Sequence, residues 1–369
     1  MILPMIQLVF HPVKSKDLKG SFEKFEMPKL NLKSWFDNSF QEGTNNYVEN
    51  NFGFRNDFVR LHNQFDFSLF NIPHVKDVII GNDFYLFEEG YIKEYCGTNY
   101  ENLDTLKKYT IDRYQRIKYL QDTLLKLGKQ MVVVIAPGKP FYFPDKIPEH
   151  YLKEKKTETQ YAEILKCCNG LNVNYIDFNN WFINRKNTID FPLYSKLGVH
   201  WTDYGASLSF DSLCNYFEKV NHKSFKNYYV TYCDTTTTFK KTDGDAFESL
   251  NTIWKLKCEK LKYLHYERKE PDNGWKPQVL TVADSYYWTM LATDLPKKCF
   301  ANGSEFWYYY NENWRLSNYE ISNNPIEKQN LKEQIKHFDF VVLLCGGTNY
   351  QSIGMDFVYD LSNELGYKK

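Results

Sequence analysis

Ser285 and His200 are the two residues of this 369-residue chain whose types and surroundings suit them to do chemistry together. Ser285 follows Val279-Leu280-Thr281-Val282-Ala283-Asp284, an apolar run that reads as a buried strand closing in an Asp-Ser turn. His200 sits within Gly198-Val199-His200-Trp201-Thr202-Asp203-Tyr204-Gly205, just ahead of a helical stretch. A hydroxyl is a weak nucleophile at neutral pH and needs an imidazole to take its proton as it attacks an acyl carbon. The chemistry implied is acyl transfer through a serine ester. It requires two segments 85 positions apart to meet in space.

The elements between them supply a way to meet. Met131 to Ala136, Val173 to Phe178, Val279 to Ala283 and Phe338 to Cys345 are apolar runs of strand length. Helical patterns alternate with them near 102–127, 156–168, 204–217 and 326–337. Such alternation predicts an α/β fold with a parallel sheet flanked by helices on both faces, whose working residues gather at the carboxyl ends of the strands. Four strand ends then converge: Pro137-Gly138-Lys139, Asp177, Asp284-Ser285 and Gly346-Gly347-Thr348-Asn349. Lys139 faces the cleft or is an ordinary turn lysine. Asn349 either donates to a developing oxyanion or caps its strand, and the Ser285 N–H at a helix start is a second such donor. Trp201, Tyr286, Tyr287, Trp288 and the cluster Phe306 to Tyr310 line a sugar-binding groove or fill the core.

Further out, residues 46–70 carry Phe54, Phe58, Leu61, Phe65 and Leu69 at helical spacing, which predicts one helix with that face buried. Val78 to Gly81 and Phe84 to Phe87 read as a hairpin. Residues 219–275 break the alternation and are expected to form an insertion or a flexible crossing. Met1 to Phe10 is nearly all apolar and too short to span a bilayer alone. It is either a strand or the trailing end of a membrane segment.

Lys plus Arg and Asp plus Glu number 46 each, so no global field draws nucleic acid, and a neutral substrate fits better. The eight cysteines contain no C-x-x-C pair and match no zinc spacing. They predict no metal site, and no cofactor is called for.

The order of these motifs resembles the SGNH-hydrolase-like acetyltransferase domain of the alginate O-acetylation proteins, the AlgX and AlgJ type. The resemblance runs through Asn51-Phe52-Gly53-Phe54-Arg55, the Ile80 to Phe87 hairpin, the Ala136-Pro137-Gly138-Lys139 turn, His200-Trp201, Asp284-Ser285 and the last strand ending in Asn349. It implies an SGNH-like three-layer sandwich over 46–369, with the insertion near 219–275 and residues 1–45 as an N-terminal arm, the end of a membrane anchor. It implies Ser285 as nucleophile and His200 as general base. From their positions in the sequence, Asp284 and Asp203 join them as catalytic candidates, and Lys139, Asn349, Trp201 and Tyr286 are the candidate substrate contacts. Many members carry an aspartate two positions before the histidine, where this chain has Gly198. Asp190 or Asp203 would stand in, or a backbone carbonyl would orient the ring.

The function implied is an extracytoplasmic O-acetyltransferase or acetylesterase acting on a bacterial cell-surface polysaccharide. The acetyl donor would be a membrane-bound acyltransferase. The alternative is a catalytically inactive relative that binds polysaccharide in an export or modification complex.

Overall fold

The computed structural model describes residues 2–10, 12–20, 25–269 and 274–368. The chain divides into two compact units, Met1–Ile80 with Ala246–Leu256, and Gly81–Asp245 with Lys257–Lys369. Those parts of the expected arm and insertion that fall at 21–24 and 270–273, like Met1 and His11, lie outside the described residues.

The first unit contains helices α1 (Ile2–Phe10), α2 (Leu32–Phe36), α3 (Ser39–Asn51) and α4 (Arg55–Phe70). The single helix anticipated over 46–70 is broken at Phe52-Gly53-Phe54, where Phe54 turns left-handed at a φ of 66°. A Cβ on Gly53 would lie 2.0 Å from the Pro4 carbonyl oxygen, so only glycine fits that break. The expected apolar face of α4 points the other way: Phe58 and Leu69 are 50% and 61% exposed, and Asn63, Gln64 and Phe67 are buried. Hydrogen bonding chose the face. Asn63 Nδ2 donates to the Leu250 carbonyl at 2.8 Å, and Gln64 Oε1 accepts the Ile253 and Trp254 N–H groups at 3.1 and 2.9 Å. Turning the helix over would take both amides away from these backbone groups and leave the buried Leu250 carbonyl without its donor. Among the described residues no helix is long and apolar enough to cross a membrane.

The second unit is built on a seven-stranded sheet. Its strands are β1 (Gln130–Ile135), β2 (Tyr175–Asp177), β3 (Val279–Ala283), β4 (Glu305–Tyr308), β5 (Glu312–Arg315), β6 (Glu320–Ile321) and β7 (Phe340–Cys345), in the spatial order β6-β5-β4-β3-β7-β1-β2. From β4 to β2 every neighbour is parallel; β5 and β6 add an antiparallel edge. The three central strands are almost wholly buried, as unbroken apolar runs covered on both faces must be.

On one face Val133, Leu343 and Val282 pack against Tyr114, Ile117 and Leu120 of α5 (Leu103–Lys126), Ile164 of α6 (Gln160–Leu171) and Phe357 and Leu361 of a C-terminal helix, Phe357–Glu364. On the other lies α7 (Asp203–Asn221), whose Phe217 ring stacks on Phe340 at 3.9 Å. The register aligns the strand ends: Cys345 pairs with Ile135, Leu344 with Ala283, and Ile135 with Asp177. The turns after β1, β2, β3 and β7 therefore open on one edge of the sheet.

Residues 219–275 contain an antiparallel pair, Tyr228–Thr236 with Leu261–Arg268. All eight cysteines are free.

Candidate active site

β3 ends at Ala283, the chain turns through Asp284 and Ser285, and α8 (Tyr286–Ala292) begins. Asp284 is fully buried and acts as a strut. Its Oδ1 accepts the Tyr286 N–H at 3.0 Å, and its Oδ2 accepts the Gly346 N–H at 2.8 Å and the Asn349 amide at 2.9 Å. Burial raises its pKa although these three donors and the His200 charge oppose the shift. The carboxylate thus ties the end of β3 to the loop after β7. It makes no hydrogen bond to Ser285 or His200, so its place is beneath the site and outside the reacting set. A Cβ on Gly346 would come within 2.4 Å of the Tyr286 ring, which is why glycine stands there.

The histidine segment is pinned on both sides of His200. Trp201 is fully buried and donates through Nε1 to the Tyr286 carbonyl at 3.1 Å. Thr202 caps α7 by accepting the Gly205 N–H at 3.0 Å. Lys139, expected as a substrate contact, is buried instead, and its ammonium donates to the carbonyls of Leu86, Lys196 and Gly198 at 2.6, 2.9 and 2.6 Å. Burial pulls its pKa down to about 7. Three carbonyls occupy its three N–H groups, leaving none for a ligand. Trp201 and Tyr286 are likewise core residues; the Tyr286 hydroxyl meets that of Tyr194 at 3.0 Å.

These supports bring His200 Nε2 to 2.9 Å from Ser285 Oγ. The far nitrogen, Nδ1, lies 2.5 Å from Oδ2 of Asp245, and the other oxygen of that carboxylate accepts the Val199 N–H at 2.9 Å. Asp203, expected in this place, turns its carboxylate to Lys241 Nζ at 2.5 Å, and Asp190 has no hydrogen bond to the ring. Gly198 explains the substitution: a Cβ there would lie 2.8 Å from the Asp243 carbonyl oxygen, so the turn carrying Asp245 occupies the space a side chain at 198 would need. In the sequence the only signal was Asp243-Gly244-Asp245, a tight-turn pattern inside the supposed insertion. A Cβ on Gly244 would come within 2.1 Å of the Phe239 ring.

Burial alone would lower the pKa of His200, but the Asp245 charge and hydrogen bond outweigh it, and the net shift is upward. The serine, imidazole and carboxylate in series are an arrangement able to move a proton from Oγ to Nε2 while Asp245 fixes the tautomer.

Asn349 is at the site, its amide oriented by Asp284 and 3.5 Å from the Tyr309 hydroxyl. Tyr309, at the end of β4, also has its hydroxyl within hydrogen-bonding reach of Ser285. Burial and the Asp284 charge push that phenol up to about 12. From Tyr309 a run of rings leads away: Tyr308 at 4.8 Å, Trp288 5.5 Å further on, and Trp314 edge-on to Trp288 at 4.8 Å. Of the aromatic cluster marked in the sequence, Phe306, Trp307 and Tyr310 are buried, whereas Tyr308 and Tyr309 retain open surface.

A mostly parallel α/β sheet with a serine, histidine and carboxylate in series at its strand ends defines a protein of the SGNH-hydrolase-like class. The chain belongs to the family described as SGNH hydrolase-like domain, acetyltransferase AlgX, which matches residues 78–274, over half its length. The family gives the class of chemistry, acetyl transfer. Among solved structures, the O-acetyltransferase domain of Pseudomonas putida AlgJ is 16% identical with a TM-score of 0.48, covering 78% of this chain and 99% of that one. Pseudomonas aeruginosa AlgX is 13% identical with a TM-score of 0.44 over 77% and 67% of the two chains, and Bacillus cereus PatB1 is 13% identical with 0.44 over 74% and 96%. No curated protein matches this sequence.

Proposed function

We propose that the protein is an extracytoplasmic O-acetyltransferase acting on a bacterial cell-surface polysaccharide through an acyl-enzyme on Ser285. The observation that carries the proposal is the hydrogen-bonded series Ser285, His200, Asp245 at the carboxyl end of β3. Ser285 Oγ attacks the acetyl carbonyl carbon while its proton passes to His200 Nε2. The oxyanion forms against the Ser285 N–H and the second N–H of the Asn349 amide, which gives up its long 3.5 Å contact with the Tyr309 hydroxyl. The donor's leaving group departs with the proton from Nε2, and the acetyl group stays on Oγ. An acceptor hydroxyl then gives its proton to the imidazole, attacks the ester and restores Ser285. With a sugar hydroxyl the outcome is transfer; with water it is hydrolysis.

The rings of Tyr309, Tyr308, Trp288 and Trp314 favour a sugar acceptor, because apolar sugar faces stack on aromatic surface. A cell-surface polysaccharide acceptor fits a reaction outside the cytoplasm, with a membrane-bound acyltransferase supplying the acetyl group. The carboxylate of Asp245 beside His200 supports the active reading over the binding-only one.

Intact-mass spectrometry after treatment with a serine-reactive sulfonyl fluoride tests the mechanism. A single adduct mapping to Ser285, lost in Ser285→Ala and strongly slowed in His200→Ala, is the expected result. A folded wild-type protein that takes no adduct would sink it. Acetyl transfer from p-nitrophenyl acetate to oligosaccharides, compared with its release to water, reads the acceptor.

A further inference from the structure

We propose that His62, Asp66 and His74 form a binding site for a borderline divalent transition ion, Zn2+ foremost, in the first unit. His62 and Asp66 are four residues apart on α4 and so share one helix face; His62 Nδ1 lies 3.5 Å from Asp66 Oδ2. His74 comes back to the same carboxylate oxygen through Nε2. The return is made by backbone that side chains adopt reluctantly. Asn71 caps α4 in the left-handed conformation at a φ of 54°, its N–H and that of Ile72 both fall on the Asp66 carbonyl, and His74 itself has a φ of 48°. One ligand atom from each residue lies within 4.8 Å of the others, and the two imidazole rings stand 4.8 Å apart, tilted by 39°.

Two imidazole nitrogens and a carboxylate oxygen thus gather within reach of one cation, which all three could ligate. Bonds of about 2.0–2.2 Å from zinc to nitrogen and oxygen put tetrahedral ligand atoms roughly 3.4 Å apart. The His62 to Asp66 spacing already matches, and the His74 contact opens to it by rotation of a ring at the surface. Two nitrogens and one oxygen suit Zn2+, with Ni2+ and Cu2+ as competitors, whereas Ca2+ and Mg2+ want six or more oxygens. Three protein ligands leave a fourth position for water or an outside donor. The ion would fasten the end of α4 to the segment that follows it.

Isothermal titration of the full chain, without a histidine tag and with the exposed thiol removed by Cys233→Ser, tests the site directly. One Zn2+ should bind with a micromolar or tighter Kd, Mg2+ should not bind at the same concentration, and Asp66→Asn or His74→Ala should weaken Zn2+ at least tenfold. Because His62 is a surface residue, His62→Gln provides a variant whose folding is not at risk, and it should weaken binding as well. No zinc binding by the wild-type chain, or an affinity unchanged in all three variants, overturns the proposal.

Discussion

At the scale of residues, the proposed mechanism has Asp245 set how His200 works as the base. The base must be neutral to accept the serine proton, so acylation should rise with pH and level off once His200 has lost its own proton. Asp245 holds the imidazolium, and the folded pKa lies above the usual histidine value although burial works against it. The midpoint of the rise should therefore sit above about 6.5. Asp245→Asn removes the charge and disturbs the tautomer. Its midpoint should move down and its plateau rate should fall by roughly 10²- to 10⁴-fold. Rates of sulfonyl fluoride labelling measured from pH 5 to 9 give both quantities. A variant with wild-type plateau and midpoint would show that Asp245 is a bystander. Asp203→Asn should leave the midpoint in place, because that carboxylate faces Lys241.

At the scale of elements, the site depends on two backbone turns touching. Gly198→Ala would put a methyl group 2.8 Å from the Asp243 carbonyl oxygen, which is rigid main chain, so the turn carrying Asp245 must move. A stability cost of about 1–3 kcal/mol and a rate loss approaching that of Asp245→Asn are expected. Thermal midpoints and labelling rates measured on the same preparation separate the two effects, and a full labelling rate would refute the coupling. The sequence disclosed half of this contact. Ser285 and His200 were legible because each adjoins an element with a strong pattern: β3 is a fully buried run and α7 has a Thr202 cap. Asp245 was not, since it comes from a turn with no periodicity and reaches His200 only through tertiary folding. The antiparallel edge was hidden for a similar reason. β4 and β5 are four residues each, and their turn passes through Tyr309 and Tyr310 in left-handed backbone that glycine or asparagine usually marks. Periodicity found the apolar stripe of α4 and could not tell which side hydrogen bonding would turn inward. Lys139, too, lay at the predicted strand end, and only the folded chain reveals three carbonyls converging on it.

At the scale of the whole molecule, the second unit keeps several carboxyl groups out of water, and this gives its stability a sign against pH. Burial raises Glu94 to about 8, even with the Tyr161 N–H at 2.7 Å and the Asn99 amide at 2.8 Å favouring the charged form. Burial likewise raises Asp243 to about 8. An ordinary carboxyl in the unfolded chain loses its proton near pH 4. Between pH 5 and 7 the folded state therefore holds protons that the unfolded state has released, and each such proton costs about 1.4 kcal/mol of stability per pH unit as pH rises. His200 acts in the same direction above its ordinary value, while Lys139, whose folded pKa is about 7, begins to oppose the trend only above that pH. Stability should consequently fall from pH 5 to 7, the reverse of what ion-paired surface carboxylates produce. Glu94→Gln isolates one contribution. The amide keeps an oxygen for the Tyr161 N–H, and a flip of Asn99 would turn its unpartnered buried oxygen toward the new NH2 group. Urea midpoints at half-unit pH steps should decline more shallowly for Glu94→Gln than for the wild type. Parallel curves would mean that Glu94 ionises in the folded protein well below pH 8, with water reaching a carboxyl that the packing encloses.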